Sequence, residues 1–150
     1  MGLIVNKLVD SFTIGELYSQ LKIEPTIRSN RPQAVHFGGP VSTDQAFVLH
    51  SADYRCEGTL KIGDEFAMTA TPEILQATAR GEGPRQYLVA FGYAGWGPGQ
   101  LDAEIQANGW LSVAADACLV FDDDDDSKWQ RTLAKLGVSL GRLSADSGRA

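Results

Sequence analysis

The sequence has no apolar run of roughly 18 residues, the length that a membrane-spanning helix needs. Its start, MGLIVNKLVDS, has no basic residue ahead of the apolar run, so we expect no secretory signal. Cys56 and Cys118 form no CxxC pair, which favours a reduced cytoplasmic chain over a disulfide-linked secreted one. The 13 lysines and arginines lie singly, and the net charge is −6. Without a basic cluster to bind phosphate backbones, direct nucleic-acid binding is not expected.

What remains is the composition of a globular protein. The chain has 150 residues, of which 43% are hydrophobic, and this length and composition predict one domain with one core. We place that domain over residues 1–141. Residues 142–150 are small and polar and predict a flexible C-terminal tail.

Four segments have helical signatures. Thr13 and Glu16 predict a capping box, followed by an apolar face of Ile14, Leu17, Tyr18 and Leu21. Thr71-Pro72-Glu73 predicts a second helix that ends at Gly81. A third is expected from Pro98 to about Asn108, with Gly109 as its left-handed end and Trp110 packed against Ile105. A fourth is expected after Ser127, with Trp129, Leu133 and Leu136 on its apolar face and an end at Gly137.

The strand predictions rest on short apolar runs bounded by turns. The predicted strands are GLIVNK at the start, AVHF, QAFVLH, a hairpin of GTLKI and EFAMT, QYLVAF as the central strand, and ACLVF at residues 117–121. A polar loop is expected over residues 24–33. Because several strands follow one another without a helix, the pattern favours an α+β fold with a mixed or antiparallel sheet.

The turn YAGWGPGQL follows the central strand and precedes a helix, as phosphate-binding turns do. The known glycine motifs fail at Pro98 and Gln100, and Asp102 and Glu104 would repel an anion. The simplest interpretation is a tight helix entry with Trp96 packed or half-exposed. A low-priority hypothesis keeps Gly95, Trp96, Gly97 and Gly99, with His50, as ligand-binding residues.

Metal and nucleophile patterns are weak. His50, Asp53 and Cys56 are spaced by three but lack the paired spacing of zinc ligands. A nucleophilic pair of Cys56 or Cys118 with His50 stays open, although Cys118 lies in the predicted strand ACLVF and is expected in the core. Asp122–Asp126 lacks the alternation of a calcium loop and predicts a solvated, partly disordered run. We expect no catalytic residue, metal or cofactor.

A series of short motifs gives the chain a family resemblance. It comprises VNK at Val5–Lys7, GGPV at Gly38–Val41, FVLH at Phe47–His50, LVAFGYAGWGPGQL at Leu88–Leu101, NGWL at Asn108–Leu111 and a late Trp129. These resemble the YqgE/AlgH family of bacterial proteins of unestablished biochemical function, over nearly the whole chain. The resemblance implies one compact α+β domain with a bifurcated, pseudo-barrel sheet covered by about four helices. It identifies no catalytic residues.

The resemblance also implies a regulatory role, since members are often labelled transcriptional regulators. Lys128, Arg131 and Lys135 form only a modest basic face, so we expect a protein partner instead of direct DNA binding. Members usually begin roughly 25–35 residues before the match to GLIVNK, and a chain lacking that part would leave a sheet edge unpaired and prone to self-association. The alternatives are a small-ligand (phosphoanion) binding protein or enzyme using the Gly95–Gly99 turn and His50, and a direct DNA-binding regulator.

Overall fold

A computed structural model of the chain describes residues 1–26 and 33–138. The chain divides into two compact units, Met1–Gly95 and Trp96–Ala150. Most of the predicted loop at 24–33, the boundary at residue 141 and the predicted tail at 142–150 lie outside the described residues.

The described residues of the first unit hold six strands and two helices. These are β1 (Leu8–Thr13), α1 (Ile14–Gln20), β2 (Ala34–Phe37), β3 (Val41–Ser51), β4 (Leu60–Ile62), β5 (Phe66–Thr69), α2 (Pro72–Arg80) and β6 (Tyr87–Tyr93). The second unit holds α3 (Gln100–Gln106), α4 (Ala117–Val120) and α5 (Asp125–Lys135). The predicted α+β class is confirmed, with five helices among the described residues where about four were expected.

The strands form one open six-stranded sheet in the order β1-β2-β6-β3-β5-β4. Among the described strands only β2 and β6 pair in parallel, so the sheet is mixed, as one of the two predicted alternatives has it. β6 lies near its middle, as its unbroken apolar sequence predicts. The hairpin of β4 and β5 is also confirmed, and Gly63 in its turn has the positive φ of 61° that favours glycine.

One face of the sheet carries the apolar core of the first unit. Val48 of β3 pairs with Val89 of β6, and both side chains are buried. The same core cluster includes Ile14, Leu17 and Tyr18 of α1, Val35 of β2, and Ile74, Leu75 and Ala79 of α2. The apolar faces of α1 and α2 therefore cover the sheet, except that the predicted face residue Leu21 is 47% exposed.

The two helix starts of the first unit differ in how threonine caps them. At α1 the predicted capping box is present: the Glu16 amide donates to Thr13 Oγ1 at 3.3 Å, and the Thr13 amide donates to Glu16 Oε2 at 2.7 Å. At α2, Thr71 is the N-cap but makes no capping hydrogen bond with its side chain. Its hydroxyl donates instead to the Glu57 carbonyl at 3.4 Å. Gly81 ends α2 as predicted, with φ 72°.

The predicted strand GLIVNK is wrong. Only Gly2 forms a bridge, to Ala94, and the first ladder begins at Leu8. Apolar periodicity cannot distinguish a strand from an extended segment that touches the sheet at single points, as Ile4 does by donating to the Gly38 carbonyl at 2.9 Å. The β1 strand escaped prediction because its pairing is irregular and Ser11 has φ 57°.

The predicted strand ACLVF is also wrong, because it forms the short helix α4. The side chain of Asp116, the N-cap, accepts from the Cys118 amide at 2.9 Å. This local capping bond begins a helix, although the apolar run that follows it is also typical of a strand. Cys118 is exposed, so its predicted place in the core is wrong as well.

The last helix begins and ends with recognisable caps. Asp124, not Ser127, is the N-cap, and its side chain accepts from the Ser127 amide at 3.2 Å. The end at Gly137 is confirmed: its φ is 67°, and the next amide, of Val138, donates to the Leu133 carbonyl at 3.1 Å. Leu133 is buried, but Trp129 is 51% exposed, so its predicted place on the apolar face is wrong.

Candidate functional site

The glycine turn in the second unit is a compact helix entry. The Gln100 amide donates to the Gly97 carbonyl at 3.1 Å, and Gly99 between them has φ 73°. Proline at the second position and a positive φ at the third are the pattern of a type II turn. Pro98 therefore belongs to this turn, and α3 begins at Gln100 with Gly99 as its N-cap. The prediction that Pro98 itself begins the helix is wrong.

A tryptophan–glutamate corner, made of Trp96, Gln100, Glu104 and Trp110, closes around this turn. Glu104 Oε2 accepts from the indole nitrogens of Trp110 at 2.7 Å and Trp96 at 3.2 Å. Glu104 Oε1 accepts from Gln100 Nε2 at 2.9 Å. The two indole rings meet edge to face with centroids 5.7 Å apart. Hydrogen bonds from Trp110, then Gln100 and Trp96, lower the pKa of Glu104, because they favour its charged form.

The end of α3 places Trp110 in this corner. Asn108 has φ 57°, its amide donates to the Ile105 carbonyl at 3.0 Å, and the Gly109 amide donates to the Glu104 carbonyl at 2.8 Å. This is the predicted Schellman end, shifted by one residue: Asn108, not Gly109, is left-handed. Trp110 turns its indole nitrogen to Glu104 and remains 47% exposed, while Ile105 is 41% exposed.

The amide donors of the turn form hydrogen bonds within the turn itself. The Gly97 amide donates to Gln100 Oε1 at 3.0 Å, and the Gln100 amide is already bonded to Gly97. Pro98 has no N–H to donate. With the ionised Glu104 in the same corner, the turn offers an anion poor electrostatics and few donors. Binding by Gly95, Gly97 and Gly99 stays a prediction without geometric support.

His50 lies far from the start of the turn. It pairs with Tyr87 at the beginning of β6, whereas Gly95 follows the end of that strand. At about 3.3 Å per residue, the strand separates them by roughly 20 Å. The first unit therefore does not bring His50 and Gly95 together.

His50 instead belongs to a hydroxyl chain in the first unit, made of His50, Thr69, Thr59 and Cys56. His50 Nε2 lies 3.0 Å from Thr69 Oγ1, which lies 2.8 Å from Thr59 Oγ1. Thr59 Oγ1 lies 3.6 Å from Cys56 Sγ and accepts from the Cys56 amide at 3.1 Å. His50 and Thr69 are both fully buried. The open hypothesis of a Cys56–His50 pair thus becomes two residues linked through two hydroxyl groups.

The spaced trio His50, Asp53 and Cys56 does not assemble as a metal site. Asp53 accepts from the Ser51 hydroxyl and, at 3.0 Å, from Arg85 Nε. These hydrogen bonds, the one from Ser51 first, lower the pKa of Asp53. Across residues 1–26 and 33–138, no three His, Cys, Asp or Glu side chains cluster closely enough to hold a metal ion.

The aspartate run is ordered around a buried lysine in the second unit. Lys128 is 3% exposed, and its ammonium donates to the carbonyls of Val120 at 3.1 Å and Asp122 at 3.2 Å. It also donates to Asp125 Oδ1 at 2.9 Å. The prediction of a solvated run holds for Asp123, Asp124 and Asp126, which are exposed, whereas Asp122 and Asp125 are half-buried and α5 begins within the run, at Asp125. A buried ammonium must be paired, and Asp125 is one of its partners.

The predicted basic face of the last helix is also wrong. Arg131 forms a two-pronged ion pair with Asp122, with Nη2 at 2.8 Å from Oδ1 and Nη1 bonded to Oδ2. Lys135 is bonded to Asp116. With Lys128 buried, all three cations are paired with acids of their own unit, which leaves little positive charge for a phosphate.

Sequence reasoning missed Thr59 and Thr69, and it named Glu104 and Lys128 without predicting that Glu104 binds the two indoles or that Lys128 is buried. The i, i+4 spacing of Gln100 and Glu104 would have indicated their hydrogen bond. The threonines depend on the β3–β5 register, and the depth of Lys128 depends on how α4 and α5 pack. Neither the register of these strands nor the packing of these helices can be predicted from the local sequence.

Comparisons with known proteins match the chain throughout. The profile of a family described as AlgH-like (DUF179) matches residues 1–141. A UPF0301 protein of Cereibacter sphaeroides is 47% identical over 151 residues, which cover all of this chain and 82% of that protein. Within the described residues, no helix is both long and apolar enough to cross a membrane.

Solved structures agree with the family match. The solution structure of the AlgH protein from Pseudomonas aeruginosa, a UPF0301 protein, superposes with a TM-score of 0.75 at 38% identity. The match covers all of this chain and 79% of that one. A Corynebacterium diphtheriae protein shares the fold, with a TM-score of 0.67 at 17% identity, over 87% of this chain and 68% of that one. By profile, identity and coverage, the chain belongs to the AlgH-like family.

Proposed function

We propose that this AlgH-like protein is a cytoplasmic regulatory protein that acts by binding a protein partner. The observation that carries the proposal is a group of exposed apolar residues close in sequence in the second unit, Ile105, Trp110, Leu111 and Val113, which we propose form a docking surface. Their side chains are 41%, 47%, 49% and 36% exposed, respectively. Neighbouring exposed apolar residues of this size are unusual outside interaction sites.

Trp110 is suited to be the anchor of such a contact. Its indole nitrogen is held by Glu104 at 2.7 Å, and its ring contacts Trp96 edge to face. The ring is therefore oriented before a partner arrives, which reduces the entropy lost on binding. Tryptophans held in this way are enriched among the residues that dominate binding energy.

The charges around the docking surface indicate the chemistry of the partner. Residues 96–116 include Asp102 and Glu104 and no lysine or arginine, while Asp116 is already paired with Lys135. Such a surface complements a protein segment that carries an apolar anchor flanked by lysine or arginine. We therefore assign the surface to a partner segment of that kind.

In this proposal, regulation of transcription operates through the protein partner. The pairing of Lys128, Arg131 and Lys135 with acids supports this over direct DNA binding. Phosphate binding at the Gly95–Gly99 turn is the weaker alternative, because the turn's donors are engaged internally.

Peptide display on the immobilised full-length protein tests the proposal. We expect selected peptides to share an apolar residue flanked by lysine or arginine, and to weaken as salt rises. Trp110→Ala should weaken binding by about 30-fold or more, the loss typical of an interface anchor. Trp129→Ala is the matched control, since Trp129 is equally exposed in the same unit but takes no part in the corner.

Two results would contradict the proposal. One is selection of peptides without a basic preference, and the other is equal binding by the wild type and Trp110→Ala. Titration with inorganic phosphate, followed by tryptophan fluorescence, tests the alternative. A saturable change would favour the anion-binding role.

A further inference from the structure

The hydroxyl chain of the first unit has a defined direction. His50 Nδ1 lies 2.8 Å from the Ser51 carbonyl, which can only accept, so Nδ1 carries a hydrogen. In the neutral ring Nε2 is then an acceptor, and it takes its hydrogen bond from the Thr69 hydroxyl. The tautomer of His50 is thereby fixed by its own backbone neighbour.

Each remaining bond follows from the one before it. Thr69 has given its single hydrogen to His50, so its oxygen accepts from the Thr59 hydroxyl at 2.8 Å. Thr59 has then given its own hydrogen, so it can only accept from the Cys56 thiol at 3.6 Å. Every hydrogen from Cys56 onward therefore points toward His50.

The same atoms support the opposite charge state. If three hydrogens each move one step, His50 Nε2 gains a proton and Cys56 becomes a thiolate. The imidazolium then donates to Ser51 and Thr69, Thr69 donates to Thr59, and Thr59 donates to the sulfur. No hydrogen bond is lost, so the conversion leaves no buried polar group unsatisfied.

We propose that Cys56 is a redox-modification site, a thiol activated through Thr59 and Thr69 by His50 for exchange with small disulfides. This site is independent of the docking surface. Cys56 is partly exposed, which a reacting sulfur requires. Tyr54 stands edge-on to His50, with ring centroids 6.2 Å apart, and Asp53 is held by Ser51 and Arg85.

A disulfide fits the surroundings of the sulfur better than an acyl substrate. Acyl transfer needs N–H donors aimed at a developing oxyanion. The amides of Cys56 and Thr59 are already used, since that of Cys56 donates to Thr59 Oγ1 at 3.1 Å and that of Thr59 to the Cys56 carbonyl at 3.2 Å. Disulfide exchange forms no oxyanion and requires only a thiolate and a leaving thiol.

The exchange balances without another reactant. The Cys56 thiol proton is relayed to His50, and the thiolate attacks one sulfur of a disulfide RSSR. The new Cys56–SR bond forms as the RS–SR bond breaks, and the departing thiolate takes the proton back from His50 along the chain. The products are the Cys56 mixed disulfide and RSH, with no net gain or loss of electrons.

The test uses the full chain and dipyridyl disulfide, an uncharged probe, in excess at neutral pH. Peptide mass spectrometry gives the rates at Cys56 and at the exposed Cys118, which serves as an internal reference. An unperturbed thiol is only about 3% ionised at neutral pH, so fuller ionisation speeds the reaction. A thiolate that forms more readily is also less nucleophilic, and this removes part of that gain in rate. We therefore expect Cys56 to react roughly 10-fold faster than Cys118.

Variants distinguish activation of the Cys56 thiol from a purely structural role of Thr69. Thr69→Val keeps the shape but breaks the chain, and should lower the Cys56 rate to that of Cys118 or below, while Thr69→Ser should preserve it. Thr78→Val is the matched control, because its hydroxyl bonds to Tyr18 and the Leu75 carbonyl, outside the chain. Circular dichroism checks the fold of each variant.

Ultraviolet thiolate absorbance provides a second readout, which does not depend on the threonine variants. We expect a Cys56 thiolate signal in the wild type at neutral pH that disappears when Cys56 is replaced by serine. The proposal fails if wild-type Cys56 reacts no faster than Cys118. It also fails if a folded Thr69→Val reacts as the wild type does, or if the thiolate signal is missing.

Discussion

The first unit buries nine side chains in one apolar cluster, whereas the described part of the second unit buries only Leu133 and Lys128. In the first unit, burial removes apolar area from water and needs little directional bonding. In the second, a buried ammonium and its carbonyl and carboxylate partners hold α4 and α5 to the aspartate run. One unit therefore depends on packing and the other on charge pairing.

This difference also separates the two candidate sites. The hydroxyl chain lies among buried side chains, where an unsatisfied polar group is costly and hydrogen-bond directions are strongly constrained. The tryptophan–glutamate corner is partly exposed, where its hydrogen bonds are individually weaker but its rings stay available to a partner. A proton relay suits the first setting, and recognition suits the second.

The largest effect should come from removing core packing in the first unit. Ile74 of α2 is fully buried, and Ile74→Ala should lower the free energy of unfolding by about 2–5 kcal/mol, through lost burial and a residual cavity. Urea unfolding followed by circular dichroism measures this. Ile62→Ala, at a site that is 42% exposed, is the control and should change stability by less than about 0.5 kcal/mol. Equal losses in the two variants would contradict a packed core.

A smaller effect should come from removing the buried cation of the second unit. Lys128→Met leaves two carbonyls and the Asp125 carboxylate without the ammonium, and should cost about 1–3 kcal/mol. Amide hydrogen exchange of α5 measures this loss within its own unit. Lys61→Met is the control, because Lys61 and Asp64 are 50% and 97% exposed and such pairs contribute about 0–1 kcal/mol.

A double variant sharpens the same prediction. If charge pairing is the cause, Lys128→Met with Asp125→Leu should be less destabilised than Lys128→Met alone, because it no longer keeps a carboxylate that has lost the Lys128 ammonium. Additive losses in the double variant would mean that Lys128 acts through its packing and not through its charge.

The sequence predicted the packed unit better than the charge-paired one, for physical reasons. Caps, turns and apolar periodicity are local, and they located α1, α2, the hairpin at Gly63 and the central strand correctly. The succession of strands without helices between them also predicted a mixed or antiparallel sheet, although β1 was missed because its pairing with β2 is irregular.

In the second unit one local cap was overlooked, and the other deciding interactions connect separate elements. An apolar run became α4 because Asp116 caps it, and a charge run became ordered because Lys128 is buried beside it. The candidate site shows the same limit. The family motif pointed to Trp96 and the turn, but Glu104 and Trp110 meet only because α3 ends at Asn108.

The smallest expected effect is a difference between the two units in how acid lowers their stability. The hydrogen bond from Arg131 lowers the pKa of Asp122, and the one from Lys135 lowers the pKa of Asp116. A folded-state pKa below the unfolded value means that the stabilisation is complete above the unfolded pKa, about 3.9 for aspartate, and is lost as pH falls through the folded pKa.

We therefore expect the amides of α5 to lose hydrogen-exchange protection below about pH 4, before those of β6, whose neighbours are apolar. Asp122→Asn should make the protection of α5 less dependent on pH in that range, because the titrating partner of Arg131 is gone. Asp102→Asn, at an exposed position of α3, is the control and should leave the acid profile of α5 unchanged. Simultaneous loss of protection in α5 and β6 would show that the two units do not respond separately to charge.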